Sequence, residues 1–307
     1  MITAAFSASS LGALVIGKSE IHSVLDIPLE IGESPVWDPA AGLLWFVDIL
    51  APAVYSLDPT TNSVSRFDMP ASVGSLGLAR DGELVVALRT GVHLFDPRRG
   101  TFKFLVHPEP SRPRNRLNDG RVGPDGAFWV GSMSEARPYE PTGALYRVTI
   151  DGRARLFRDD IHVSNGLAWS PDGRIMYHVD SLLPEVRAYQ FDGAIDEPMK
   201  FSQFAALDVR WGRPDGAAVD VEGSYWSAGV SAGRLNRIAS NGQLIESVQL
   251  PIAAPTMPCF GGADMKTLYI TSLRRQIGDI SQPGTLLSMR VDVAGLRSGV
   301  FGVGRRG

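Results

Sequence analysis

Apolar and aromatic residues along this chain come in short runs, each entered through a turn. The first is "DPAAGLLWFVDI" from Asp38, followed by "DGELVVAL" from Asp81, "DGAFWVGS" from Asp125, "DGRIMYHVDS" from Asp172, "EGSYWSAG" from Glu222 and "DMKTLYITS" from Asp264. These anchors lie 43, 44, 47, 50 and 42 residues apart, the mark of a repeated structural unit. A second run follows each first one: "VYSLDP" from Val54, "VHLFDP" from Val92, "LYRVTIDG" from Leu145, "VRAYQFDG" from Val186, "LNRIASNG" from Leu235 and "LLSMRVDVAG" from Leu286. Alternation ending in a turn predicts strands, so each unit holds at least two hairpin-linked strands and has room for about four. Six such units, with no long segment of helical period, predict an all-β fold: a six-bladed β-propeller with four-stranded antiparallel blades around a central channel. The run "VLDIPLE", Val24 to Glu30, precedes the first unit and is predicted to pair into the last blade and close the ring. The chain thus divides into a flexible N-terminal tail, 1–18, and a single propeller domain, 19–307.

Composition agrees with a turn-rich globular chain: of 307 residues, 44% are hydrophobic and 21% charged, with 33 Gly and 21 Pro. A net charge of -3, from 30 basic and 33 acidic residues interspersed, gives no field to gather phosphate backbones, so no nucleic-acid partner is expected. Cys259 is the single cysteine, which forbids an intrachain disulfide and points to a cytoplasmic protein. The opening "MITAAFSASSLGALVIGKSE" lacks the basic start of a signal peptide, and no stretch reaches the roughly 20 apolar residues of a membrane span.

Polar residues recur at one phase of the repeat. Glu33 lies 12 residues before Trp45, Asn118 11 before Trp129, Asn165 12 before Tyr177 and Asp215 11 before Trp226. The other two units offer Gly74 or Ser75, and Met257 or Pro258, at that phase. Each position falls just before an apolar run suited to an innermost strand, and in a ring such positions meet at one end of the channel. Two carboxylates and two amides brought together, with no Cys or His at the same phase, form a hard oxygen set. Calcium, magnesium or manganese suits it, and carboxylates also bind zinc or iron. The competing reading of each residue alone is a turn former before a strand.

The motifs "GESPVWD", "RLNDGRVGPDG", "GALYRV", "SNGLAWSPDG", "RPDGAAVDVEG" and "CFGGADMKTLYITS", in this order, resemble the SMP-30/gluconolactonase/regucalcin family of sugar-lactone lactonases over nearly everything after Glu30. The resemblance implies a six-bladed propeller with one divalent cation (calcium, zinc, manganese or iron) held by Glu33, Asn165 and Asp215. It also implies that Arg116 and Asn118 contact the sugar lactone and its ring-opened acid. Some members place a further Glu after the "G-S/T-M" turn, and "GSMSEA" offers Glu135, one position out of that register.

Opening a cyclic ester needs a polarised carbonyl and a deprotonated water, both of which a divalent cation with open positions provides. Asp215 is the candidate general base, with a purely ligating role as its alternative, and Glu33 balances the charge of the ion. Arg116 suits several parallel hydrogen bonds to hydroxyls and a developing carboxylate; the plain alternative is a surface residue of "PSRPRNR". The five His show no ligand spacing, and in "YHVDS" strand alternation sets His178 against its neighbours, so a Ser/His/Asp triad is not expected. The Trp residues read as packing between blades. The sequence therefore predicts a metal-dependent hydrolase of a sugar lactone in carbohydrate metabolism. Alternatives are a propeller hydrolase of other lactones or esters, or a non-catalytic cation-binding interaction protein. The loops "SEARPYEPT" and "SLRRQIGDISQPG" are expected to shape the pocket.

Overall fold

The computed structural model describes residues 20–25, 27–191 and 201–304; the expected tail, 1–18, lies outside them. The described residues form six small antiparallel sheets in a ring, the six-bladed propeller expected from the repeat. The innermost strands are Gly32–Asp38, Val73–Ala79, Asn115–Val122, Ser164–Trp169, Pro214–Val219 and Pro255–Gly261. Each packs against the inner strands on either side, and that of blade six returns to that of blade one.

Burial falls from the channel outward, which explains the hydrophobic pattern. Every residue of Ser164–Trp169 is buried, so the inner strands read as continuous runs rather than alternations. The outermost strand of blade one, Ser63–Asp68, alternates between exposed and half-buried positions. Aromatic side chains fill the seams: Trp37 stacks on Tyr269 between blades one and six, and Trp226 meets the edge of Phe260 between five and six. Trp129 and Trp169 meet between three and four, and Tyr177 and Tyr225 between four and five. Such pairs add about 0.5–1.5 kcal/mol each beyond the area they bury.

Ring closure uses the N-terminal segment, but with different bounds from those expected. The paired strand is His22–Ser23, which runs antiparallel to Leu286–Arg290 as the outer strand of blade six. Val24 N–H continues the pairing to Leu286 O at 2.9 Å; further on, Leu29 exchanges two 2.9 Å hydrogen bonds with Gly284 and Glu30 O accepts the Arg274 N–H at 2.8 Å. The break has a simple cause: Pro28 has no N–H to give to a ladder.

The C-terminal segment has a role the repeat did not disclose. After blade six it crosses the far mouth of the channel: Val221 N–H bonds Ala294 O and Leu296 N–H bonds Val219 O. Val300–Phe301 then adds to blade two as a strand parallel to Val73–Ala79. Gly302 N–H ends the crossing on Gly126 O at 2.9 Å. Gly126 has φ +74°, and a Cβ there would lie 2.6 Å from the backbone of Gly304, so the tail seats only on a glycine. With one mouth crossed, access to the channel is left at the other.

Candidate active site

All six inner strands carry a register shift at the same place. The shifts lie between Glu33 and Val36, Val73 and Ser75, Leu117 and Gly120, Asn165 and Ala168, Pro214 and Ala217, and Pro255 and Pro258. A bulge bends the strand and re-aims a side chain that strict alternation would turn away. Here it lets polar groups near the N-terminal ends of the strands face the channel. The conformations match: Ser34 sits at φ 49° and Gly166 at φ +66°. A Cβ at Gly166 would come within 2.4 Å of Tyr225 Oη, whose hydroxyl donates to Gly166 O.

Glu33, Asn118, Asn165 and Asp215 are 7%, 7%, 4% and 8% exposed, and together with Arg116 they line one cavity of about 280 Å³ at the open mouth. A chain of hydrogen bonds fixes the amides. Arg116 Nη1 donates to Asn118 Oδ1 at 2.6 Å, and Asn118 Nδ2 donates to Asn165 Oδ1 and to Ser164 O, both at 2.9 Å. Asn165 Nδ2 in turn donates to Ser181 Oγ at 2.8 Å. The amide oxygen of Asn165 therefore faces its neighbours with one lone pair still open. Both N–H groups of Asn118 are engaged, and its Oδ1 accepts from Arg116.

The carboxylates are far less satisfied. Glu33 Oε2 accepts the Ser34 N–H at 2.8 Å, and Asp215 contacts only the Gly216 backbone and has no side-chain partner among the described residues. Burial holds the Glu33 carboxyl well above its usual range, helped by the charges of Asp215 and Asp119 and opposed by Arg116. Burial likewise raises Asp215, with Asp119 adding to it and Arg213 and Arg116 opposing. Burial lowers the Arg116 guanidinium. Two mutually repelling buried carboxylates beside an oriented amide oxygen, with no His or Cys in the cavity lining, fit an oxygen-preferring divalent cation. Such an ion would relieve the repulsion and keep positions open, because no third His, Cys, Asp or Glu joins the two carboxylates among the described residues.

Glu135 stands apart from this group. It is absent from the cavity lining and pairs with Arg89 through Oε2 and Nη1, acting on Arg116 only through space. Arg137, Tyr139 and Arg275 line the cavity from the two loops expected to shape it, whereas Arg213 and Thr256 are lining residues the sequence analysis does not single out. Thr256 is the contribution of blade six, where the bulge moves the inward phase one residue ahead of Met257. Its hydroxyl is held by Gly32 O at 2.6 Å and Thr271 Oγ1 at 2.9 Å. Asp119, next to Asn118, lies behind the site and takes the Leu167 N–H at 3.0 Å on Oδ2, while Oδ1 has no partner. The "ND" of "RLNDG" was the available signal, because a bulge lets consecutive residues face inward.

No nucleophilic triad forms on His178. Its Nε2 pairs with Ser164 Oγ at 2.8 Å and its Nδ1 with Arg158 at 3.3 Å, while Asp180 pairs instead with His162 at 2.9 Å. Cys259 is buried, and burial pushes its thiol up to about 11, leaving it inert at neutral pH. His178 is wholly buried, and burial first, then Arg158 and Arg187, hold it well below 6.5. A His depressed in the fold stays neutral there while the unfolded chain takes up a proton, so stability falls as pH drops below about 6.5. His178→Gln, which keeps an N–H near Nε2, is expected to remove up to ~1.4 kcal/mol per pH unit of that slope in urea melts between about pH 6 and 5. Parallel slopes for the two proteins would show that His178 does not titrate this way.

Fold and site together define a class: a six-bladed propeller that gathers two buried carboxylates, two oriented amides and an arginine at its one open mouth. The chain belongs to the SMP-30/Gluconolactonase/LRE-like family, whose model matches residues 31–274. It is similar to 6-deoxy-6-sulfogluconolactonase of Pseudomonas putida, 38% identical over 290 residues, covering 92% of this chain and 98% of that one. Regucalcin of Xenopus laevis is 35% identical over 258 residues, 82% of this chain and 86% of that one. Among solved structures, a calcium-binding regucalcin from Agrobacterium tumefaciens superposes with a TM-score of 0.85 at 28% identity, covering 91% of this chain and 96% of that one.

Proposed function

We propose that the protein hydrolyses a sugar lactone to its aldonic acid, using one divalent cation held by Glu33, Asn165 and Asp215. The observation that carries this reading is the pair of buried, underpartnered carboxylates beside Asn165 and Arg116 in a single cavity. The lactonase name of a relative that matches nearly the whole chain supports it. When bound, the cation supplies a Lewis acid and lowers the pKa of water. Asp215 has uncommitted oxygens at the cavity, which suits it to take the proton of the attacking water. Arg116 spends Nη1 on Leu117 O and Asn118 Oδ1, leaving Nη2 and Nε for the lactone hydroxyls and the nascent carboxylate. Asn118 keeps that guanidinium at its station. Glu135, paired with Arg89, is placed at the rim as a modulator of Arg116 rather than a direct contact. We place this activity in the cytoplasm, in keeping with a lone cysteine buried and unpaired.

Acid release from a panel of five- and six-membered aldonolactones tests the reading, before and after chelation and with calcium, manganese, zinc or iron added back. Turnover lost on chelation and restored by at least one ion is expected. A second reading, cation binding without chemistry, draws on the calcium-binding description of the similar regucalcin. Ion binding in calorimetry with no turnover on any lactone or ester would select it.

A further inference from the structure

Three arginines of the cavity remain outside the chemistry just described. Arg137 comes from the loop after Phe128–Ser134, Arg213 from the residue before Pro214–Val219, and Arg275 from the short hairpin Arg275–Ile277/Ile280–Gln282. None of the three has a carboxylate within ion-pair distance among the described residues, although other arginines near this end are paired. Arg274 bonds Glu30 at 2.9 Å, Arg112 bonds Asp159 at 2.9 Å, and Arg89 holds Glu135. Three different blades thus send an unpaired guanidinium to one cavity.

The charges there do not balance for a neutral sugar. Arg116, Arg137, Arg213 and Arg275 face Glu33 and Asp215 with Asp119 behind them, which still leaves an excess of one positive charge before a divalent cation adds two more. The chain as a whole carries -3, so this excess is local rather than a share of a basic surface. Like charges gathered in a concave site repel one another, and field lines focus there, drawing in an anion. An aldonic acid product supplies one carboxylate, and that forms at the reacting carbon beside Arg116. The remaining guanidiniums are left for a second anionic group elsewhere on the substrate. Their chemistry suits a tetrahedral oxyanion, since guanidinium forks match its oxygens in parallel pairs. Arg137 is also partly ordered for this role, with its guanidinium 3.8 Å over the Tyr139 ring, which occupies its face and leaves its edge donors available.

Resting on the lactonase reading, we propose that the preferred lactone carries an anionic substituent of the sulfonate or phosphate kind away from the ring ester, recognised by Arg137, Arg213 and Arg275. The test compares gluconolactone with its 6-sulfonate and 6-phosphate analogues on the ion-loaded enzyme, in 50 and 300 mM salt. A kcat/KM at least about tenfold higher for one of the charged lactones is expected at low salt, narrowing at high salt. The two analogues separate sulfonate from phosphate. Arg213→Gln and Arg275→Gln should each cut the charged-to-neutral ratio of kcat/KM by about tenfold to hundredfold, the worth of one charge-assisted hydrogen-bonded contact. Equal kcat/KM for charged and neutral lactones, or a ratio the substitutions leave unmoved, would overturn the proposal while the lactonase reading stands. A readout independent of turnover keeps the two apart. Open-chain 6-phosphogluconate and its 6-sulfonate counterpart should raise the melting temperature more than gluconate does, and less so in both variants. If no lactone turns over, the lactonase reading fails, and equal stabilisation by the charged and neutral acids defeats the anion site as well.

Discussion

Asp215→Asn is expected to cut lactone hydrolysis by about 10³-fold or more and, in the ion-free protein, to raise the melting temperature. The two effects have one cause. Burial, with Asp119 adding to it, outweighs the opposing charges of Arg213 and Arg116, so the proton affinity of Asp215 is raised in the fold. For a raised carboxyl the folded state binds more protons than the unfolded one. Stability is then greatest below the ordinary carboxylate pKa of about 3.9 and declines as pH rises through the folded value. At pH 7 the ion-free native state thus carries this carboxylate at a cost, which an amide of the same shape removes. Each kcal/mol regained moves the melting temperature by roughly 2–4 °C or somewhat less for a chain of this length. The cation reverses the order. At a hundredfold excess over its Kd it adds about 2.7 kcal/mol to the wild type by mass action, and Asp215→Asn, with a neutral amide oxygen in place of a carboxylate, should gain much less. Loss of a general base alone is worth about 10²–10⁴ in rate, and loss of the ion adds to it. Paired thermal melts with and without ion, alongside the rates, check both halves. An ion-free variant less stable than wild type would mean that Asp215 makes a structural bond the geometry does not show. Full ion-dependent stabilisation in the variant would place the cation elsewhere.

How much of this was legible beforehand follows from what each signal encodes. Turn-plus-aromatic repeats at 42 to 50 residue intervals report blades directly, because each blade needs the same buried seam residues, and Trp45, Trp129, Tyr177 and Trp226 are buried at the places the repeat assigns. Counting back from those residues found Glu33, Asn118, Asn165 and Asp215, since the bulges fall at one place in all six inner strands. The same bulges hid Thr256 and Asp119, because a one-residue shift in phase reverses which side chain faces the channel. The loops that carry Arg137 and Arg275 are legible as pocket-shaping, but which of their side chains turn inward is not, because no periodicity assigns a direction there. The closing strand starts two residues before the apolar run that marks it, because His22 and Ser23 pair through their backbone and carry no apolar signal. The crossing of the far mouth by residues after Val291 carried no repeat at all.

Asp220→Ala should be the most damaging single change away from the site, costing about 3–5 kcal/mol, or on the order of 10 °C. Asp220 is fully buried and holds five donors. Oδ1 takes the backbone N–H groups of Glu222 at 3.0 Å and Ser224 at 2.8 Å, fixing the turn between two strands. Oδ2 takes Trp226 Nε1 at 2.9 Å and the guanidinium of Arg237 through Nε at 3.2 Å and Nη2 at 2.8 Å. Truncation leaves a largely buried guanidinium, an indole N–H and two turn amides without an acceptor, where water reaches them poorly. The guanidinium keeps only its bond to the exposed Glu222, which is worth little. Blade three provides the control, since Asp125 holds three donors rather than five: Ala127 N–H at 3.2 Å, Trp129 Nε1 at 3.3 Å and Arg147 Nε at 2.7 Å. Asp125→Ala is therefore expected to cost less, about 2–3 kcal/mol. Blade one shows what the acceptor supplies, because Trp45 Nε1 there is buried with no partner. Urea melts of both variants decide the matter. The ranking must be Asp220 above Asp125, and Arg237→Ala in the Asp220→Ala background should restore part of the loss by removing the stranded charge. If the double variant is no more stable than Asp220→Ala, the cost lies in the broken turn rather than in the charge.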